Sequence, residues 1–129
     1  MHTTWQLGFA KFTVSDMSGI STAEVHAYVD LLKREDGGKA FLKIMRNFDY
    51  SPAFRQRCYG GVQGVPYPIQ ALWGVEDPGL TFERYGQEIG QVVGLPAIQK
   101  LPAKHLLQED QWAAIADAVT RLASQAGTL

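Results

Sequence analysis

Cysteine is nearly missing from this chain: Cys58 stands alone, so no intrachain disulfide can form. Histidine is scarce as well. His2, His26 and His105 are scattered without the spacing of a metal site, and neither a metal nor a cofactor is expected. Charge of one sign is also missing. Twelve Lys and Arg stand against 13 Asp and Glu, with no basic block and no basic–aromatic interleave, which excludes nucleic acid as an expected partner. No run of 18 apolar residues is present to span a bilayer, and the start, "MHTTWQLGFAKF", has no basic region followed by a long apolar core. The expectation is a soluble, cytoplasmic protein whose partners are small molecules, with no membrane involvement.

What is present is enough for a core: 46% of the 129 residues are hydrophobic and 11% aromatic, in a chain the size of one domain. The first half reads as helical. In "STAEVHAYVDLLKRE", residues 21 to 35, Ser21 and Glu24 make an S-x-x-E capping box and Val25, Tyr28, Val29 and Leu32 form one stripe, ended by Gly37-Gly38. The next segment, "KAFLKIMRNF", puts Ala40, Phe41, Ile44, Met45 and Phe48 on one side, and Ser51-Pro52 starts a third short helix. Gly60, Gly61, Gly64, Pro66 and Pro68 then break the chain into a helical segment, 1–64, and a second segment, 65–129.

The second segment changes period. "PIQALW", 68 to 73, reads as a strand; 81 to 94 reads as a helix with Phe82, Tyr85, Ile89 and Val92 or Val93 inward, weakened by Gly86 and Gly90. "AIQKLP", 97 to 102, reads as a second strand, and 109 to 124 as a helix with Trp112, Ile115, Val119 and Leu122 on one face. This β-α-β-α order implies an α/β fold with parallel strands. "LGFAKFTV", 7 to 14, is a candidate third strand. So small a parallel sheet has open edges, and such edges predict that another chain supplies the missing neighbours.

Asp77 falls just past the first strand and His105 just past the second, where catalytic groups gather in parallel sheets. Adjacent strands lie roughly 5 Å apart, so a carboxylate and an imidazole at neighbouring strand ends can meet, the acid orienting the histidine as a general base. Taken singly, Asp77 is also a turn former ahead of Pro78-Gly79, and His105 also a surface histidine. Glu76 is an alternative acid. Glu109 and Asp110 read as first-turn acids of the last helix.

"PIQALWGVEDP", a crossover of about 25 residues, and "KHLLQEDQWAAIADAVTRLA" together resemble the C-terminal part of α/β-hydrolase-fold enzymes, in particular the haloalkane dehalogenase and esterase branch. In that family a strand ending in W-G-x-x-D delivers the triad acid, and the next strand delivers the triad histidine before a C-terminal helix. The resemblance thus implies Asp77 as acid and His105 as base, with residues 21 to 60 as the cap over the substrate pocket. It extends over the chain from about residue 12. It implies a partial α/β-hydrolase fold and hydrolysis of esters or related activated bonds.

The departure from the family is equally plain. No G-x-S-x-G elbow is present, nor the oxyanion-hole loop before it, so the nucleophile would have preceded residue 1. Ser18, followed by a glycine, and Cys58 are candidate nucleophiles, but Ser15, Ser18 and Ser51 read more readily as turn and cap residues and Cys58 as a small buried apolar residue, leaving the nucleophile unassigned. Two expectations follow: a hydrolase, or an inactive fragment that self-associates as a dimer or complements a separately encoded N-terminal half.

Overall fold

A computed structural model describes residues 8–127. The chain mixes helices with one small parallel sheet. A π-helical turn, Phe9–Thr13, precedes three helices: α1, Thr22–Lys33; α2, Lys39–Arg46; and α3, Pro52–Gly60. A strand, β1, Leu72–Gly74, leads into a π-helical turn, Phe82–Gly86, continuous with α4, Gln87–Val93. The strand β2, Gln99–Leu101, and the helix α5, Trp112–Gln125, follow.

Each helix start has a local cause. The Ser21–Glu24 capping box forms, with the Ser21 amide donating to Glu24 Oε2 at 2.7 Å and the Glu24 amide donating to Ser21 Oγ at 3.2 Å. Caps of this kind stabilise by about 1 kcal/mol. At α2 the cap residue is Gly38, which has no side chain to offer, and Asp36 substitutes by accepting from the Gly38 and Ala40 amides. Ser51 caps α3 through the Phe54 amide, with Pro52 in the first turn where its missing N–H costs nothing.

β1 and β2 pair in parallel, with Leu72 opposite Gln99, Trp73 opposite Lys100 and Gly74 opposite Leu101. The ladder runs past both strands: the Gln99 amide donates to Ala71 O, Val75 to Leu101 O and Glu76 to Ala103 O, each at 3.0 Å. The strands are shorter than the hydrophobic runs that announce them, because Pro66 and Pro68 ahead of one and Pro96 and Pro102 around the other remove ladder donors.

The core is small. Val14 and Val25 are its largest fully buried side chains, with Met17, Ile20, Tyr28 and Leu106 packed against them. This cluster fastens α1 to the loop that follows β2. A second junction joins α3 to α4, where Glu88 accepts from Tyr59 Oη at 2.5 Å and pairs with Arg55.

Three expectations need correction. The candidate strand at 7 to 14 is helical over Phe9–Thr13, with Leu7 outside the described residues. Its apolar residues do not alternate with polar ones, and β1 and β2 pair with each other alone, so no ladder selects an extended form. The last helix starts at Trp112, not 109, and it turns Ile115, Ala118 and Leu122 toward the chain, leaving Trp112 70% and Val119 56% exposed. At about 100° per residue, Trp112 and Val119 occupy the outer half of a wide apolar stripe, and only the inner half is covered. Cys58 is exposed rather than buried.

Among the described residues no helix is long and apolar enough to cross a membrane.

Candidate active site

The ladder of β1 and β2 brings two loops side by side, one carrying Glu76 and Asp77, the other His105. Gly74 makes this possible. A Cβ at that position would lie 2.3 Å from Lys104 O and 2.5 Å from Ala103 O, so only glycine lets the chain beyond β2 cross this close to β1. The crossing delivers the next residue, His105, to Asp77.

The pair is well defined. His105 Nδ1 lies 2.8 Å from Asp77 Oδ2. An ionised carboxylate only accepts, so the proton of the bond is on Nδ1, and the lone pair of the neutral imidazole is on Nε2. Asp77 Oδ1 accepts from the amides of Gly79 at 2.8 Å and Leu80 at 3.0 Å, a turn that Pro78-Gly79 favours. The turn-forming and imidazole-orienting roles of Asp77 therefore coexist, one on each oxygen.

Burial and charge are divided unequally. Asp77 is 8% exposed, while the His105 side chain is 49% exposed. Burial alone would raise the Asp77 carboxyl, but the Leu80 amide, the His105 imidazole and the Gly79 amide together outweigh it and hold the group below the usual carboxylate range. Beside the pair is a cavity of about 160 Å³, walled mainly by Leu72, Trp73, Leu80 and Leu107. Trp73 is fixed there by donating from Nε1 to Leu80 O at 2.9 Å and by an edge-to-face contact with Phe82.

The other candidate residues lie apart from the pair. Glu76, the alternative acid, accepts from Ser15 Oγ at 2.6 Å. Glu109 and Asp110 precede α5 instead of belonging to its first turn. Glu109 accepts from Tyr28 Oη, which ties α1 to the histidine loop and pushes the Tyr28 phenol up to about 12, with burial adding to the effect. Asp110 Oδ2 accepts from the amides of Ser15 at 3.0 Å and Asp16 at 3.1 Å, while its Oδ1 is buried without a hydrogen-bond partner. The Ser18 amide donates to Asp16 in a turn, and Ser51 is the cap of α3.

Among the described residues no hydroxyl or thiol is hydrogen-bonded to His105 Nε2, and no three His, Cys, Asp or Glu side chains are grouped to hold a metal ion. Two contributors were not visible in the sequence: the close approach at Gly74, and the hold of residues 13 to 16 on both loops. The glycine's neighbours are about 30 residues away in the chain, and Ser15-Asp16 carries no local signal beyond a turn. Neither a family model, nor a curated protein, nor a solved structure matches the chain.

Proposed function

We propose that this chain carries the acid–base half of a hydrolase related to the α/β-hydrolase fold, acting on esters or similarly activated bonds. The observation that carries the reading is the 2.8 Å contact between His105 Nδ1 and Asp77 Oδ2 at the carboxyl ends of neighbouring parallel strands. Asp77 holds one tautomer and stabilises the imidazolium that forms when Nε2 takes a proton. The half-exposed ring gives a substrate access to Nε2, and the 160 Å³ apolar cavity has room for a short acyl or alkyl group. In this reading residues 21 to 60 are the cap and 65 to 129 the last part of the sheet domain.

The proton that Nε2 removes belongs either to a nucleophile on a second chain or to water. With a hydroxyl nucleophile, oxygen attacks the carbonyl carbon while its proton passes to Nε2, the leaving alkoxide takes that proton as alcohol, and water, deprotonated in turn by Nε2, cleaves the acyl ester to give the acid and return the proton to the nucleophile's oxygen. With water the same transfer gives the acid and alcohol in one displacement.

Assay of the purified chain on short p-nitrophenyl esters, beside Asp77→Asn and His105→Ala, tests the reading. Turnover lost in both variants supports it, and turnover unchanged in both overturns it. Fluorophosphonate labelling separates the routes: an adduct on a serine identifies a nucleophile, whereas turnover without an adduct points to water.

A second reading has its own support. α2 buries none of its residues and leaves Phe41, Leu42, Ile44 and Met45 exposed, α5 leaves Trp112 and Val119 exposed, and the sheet has two strands. Such apolar area belongs to interfaces. On this reading the chain is inactive alone and associates with a second copy, or with a separate polypeptide that supplies further strands.

A further inference from the structure

The acid–base pair uses Asp77 and His105 but leaves unexplained why residues 13 to 16 cross both of their loops. Thr13 O accepts from the Leu106 amide at 2.7 Å, one residue beyond His105. Val14 is wholly buried against Val25 and so fixes the depth of the crossing. Ser15 then reaches in two directions. Its amide donates to Asp110 Oδ2 at 3.0 Å on the histidine loop, and its hydroxyl donates to Glu76 Oε2 at 2.6 Å on the acid loop, next to Asp77. The Asp16 amide doubles the hold on Asp110 at 3.1 Å.

We propose that Ser15 is a positioning residue for the Asp77–His105 pair, joining the acid loop to the histidine loop through Glu76 on one side and Asp110 on the other. The two loops also meet through the short ladder and through the imidazole–carboxylate bond itself. A half-exposed ring needs its loop held, because the bond fails with a displacement of less than 1 Å, from 2.8 Å to beyond about 3.5 Å. Ser15 and Glu76 supply a link on the acid side with a strong acceptor, since the carboxylate makes the hydrogen bond charge-assisted. The inference gives Glu76 a function without making it the catalytic acid, and it rests on the reading of Asp77 and His105 as an acid–base pair.

The test combines imidazole nitrogen shifts by NMR, which report the His105–Asp77 bond directly, with ester turnover and thermal melting. Ser15→Ala is expected to move the His105 shifts toward those of Asp77→Asn and to lower kcat about fivefold with KM nearly unchanged, while Ser15→Thr, which keeps the hydroxyl, stays near the parent. Glu76→Ala should match Ser15→Ala, Glu76→Gln should stay near the parent because its amide oxygen still accepts, and the Ser15→Ala/Glu76→Ala double variant should add nothing beyond either single change. Parent-like His105 shifts in Ser15→Ala, or additive losses in the double variant, overturn the proposal. If Ser15→Ala does not fold, Glu76→Ala, altered at an exposed side chain, decides by the same shifts. Shifts that respond as expected in a chain without turnover sustain the positioning role and reject the hydrolase reading instead, so the two failures are distinguishable.

Discussion

Replacing Gly74 by alanine sets a methyl carbon 2.3 Å from Lys104 O, 2.5 Å from Ala103 O and 3.0 Å from the Ala103 carbonyl carbon, where ordinary contact begins at 3.4 Å. All three atoms are backbone, so no rotamer change relieves the clash. The segment 103–104 has to retreat by about 1 Å, the difference between contact and clash distances. That segment leads directly into His105, and a shift of this size takes Nδ1 from 2.8 Å to about 3.8 Å from Asp77 Oδ2, outside hydrogen-bonding range. Misplacing a catalytic group by 1 Å costs on the order of 10²-fold in rate. Overpacking of this kind also destabilises by about 1–3 kcal/mol. The Glu76–Ala103 ladder bond, at 3.0 Å, should break as well, so its amide should exchange faster with solvent. Ester turnover, imidazole nitrogen shifts, melting temperature and amide exchange of Gly74→Ala measure the four effects. Parent-like shifts and turnover would refute the argument that glycine is what admits the histidine loop.

His105→Ala is expected to abolish turnover and Asp77→Asn to lower it on the order of 10³-fold, with Glu76→Gln far milder; equal damage from Glu76 and Asp77 would move the acid by one residue. The Asp77 carboxyl is held low in the fold, so its stabilising contribution is complete above the ordinary carboxylate value of about 4 and is lost as pH falls through the lowered value; melting curves of the parent and Asp77→Asn should therefore converge in acid. Tyr28, pushed up to about 12, contributes stability that is complete below the ordinary phenol value of about 10 and fades as pH rises toward 12. An ultraviolet titration should show a late phenol that Tyr28→Phe removes, and the same change should destabilise by about 1 kcal/mol. On the assembly reading, sedimentation should find a dimer or larger species; a single-chain mass that persists on dilution contradicts it.

The sequence disclosed local structure more readily than placement. The Ser21–Glu24 box and the Ser51-Pro52 start are visible because capping is a matter of residues three apart, and both are found where expected. Asp77 and His105 stand at the ends of hydrophobic runs, so their encounter follows once the runs are read as neighbouring parallel strands. What could not be read was long-range. Asp110 binds amides 95 and 94 residues away, and Tyr28 reaches Glu109 across 81 residues, contacts that no periodicity encodes. Glu109 and Asp110 looked like first-turn acids because acids favour helix starts, but the tertiary partners Tyr28, Ser15 and Asp16 claim them and the helix begins later. Trp112 and Val119 do share one apolar face with Ile115 and Leu122, yet they lie exposed: amphipathicity reports which side of a helix is apolar, not whether this chain has enough structure to cover it.

That last distinction bears on the proposed chemistry. A general base gains most when the site excludes water, because the proton transfer and the charge it creates are then stabilised by fixed groups instead of mobile solvent. Asp77 has such surroundings, with one oxygen on two backbone amides and little exposure, but His105 is open over about half its surface, 49%. The closed side of the pair is the Asp77 side, where the turn at Pro78-Gly79 sets the Gly79 and Leu80 amides on one oxygen and Trp73 is fixed to Leu80 O. In the proposed mechanism Nε2 acts on the open side, where a nucleophile and oxyanion donors belong. Losing one such donor costs roughly 10² to 10³ in rate, so the isolated pair should be a slow catalyst even with its geometry intact. Adding a second chain that covers the exposed face of α5 and extends the sheet should then raise kcat while leaving the His105–Asp77 shifts unchanged. An increase in turnover accompanied by a large change in those shifts would mean that the partner rebuilds the pair and that the arrangement of Asp77 and His105 in this chain is not the working one.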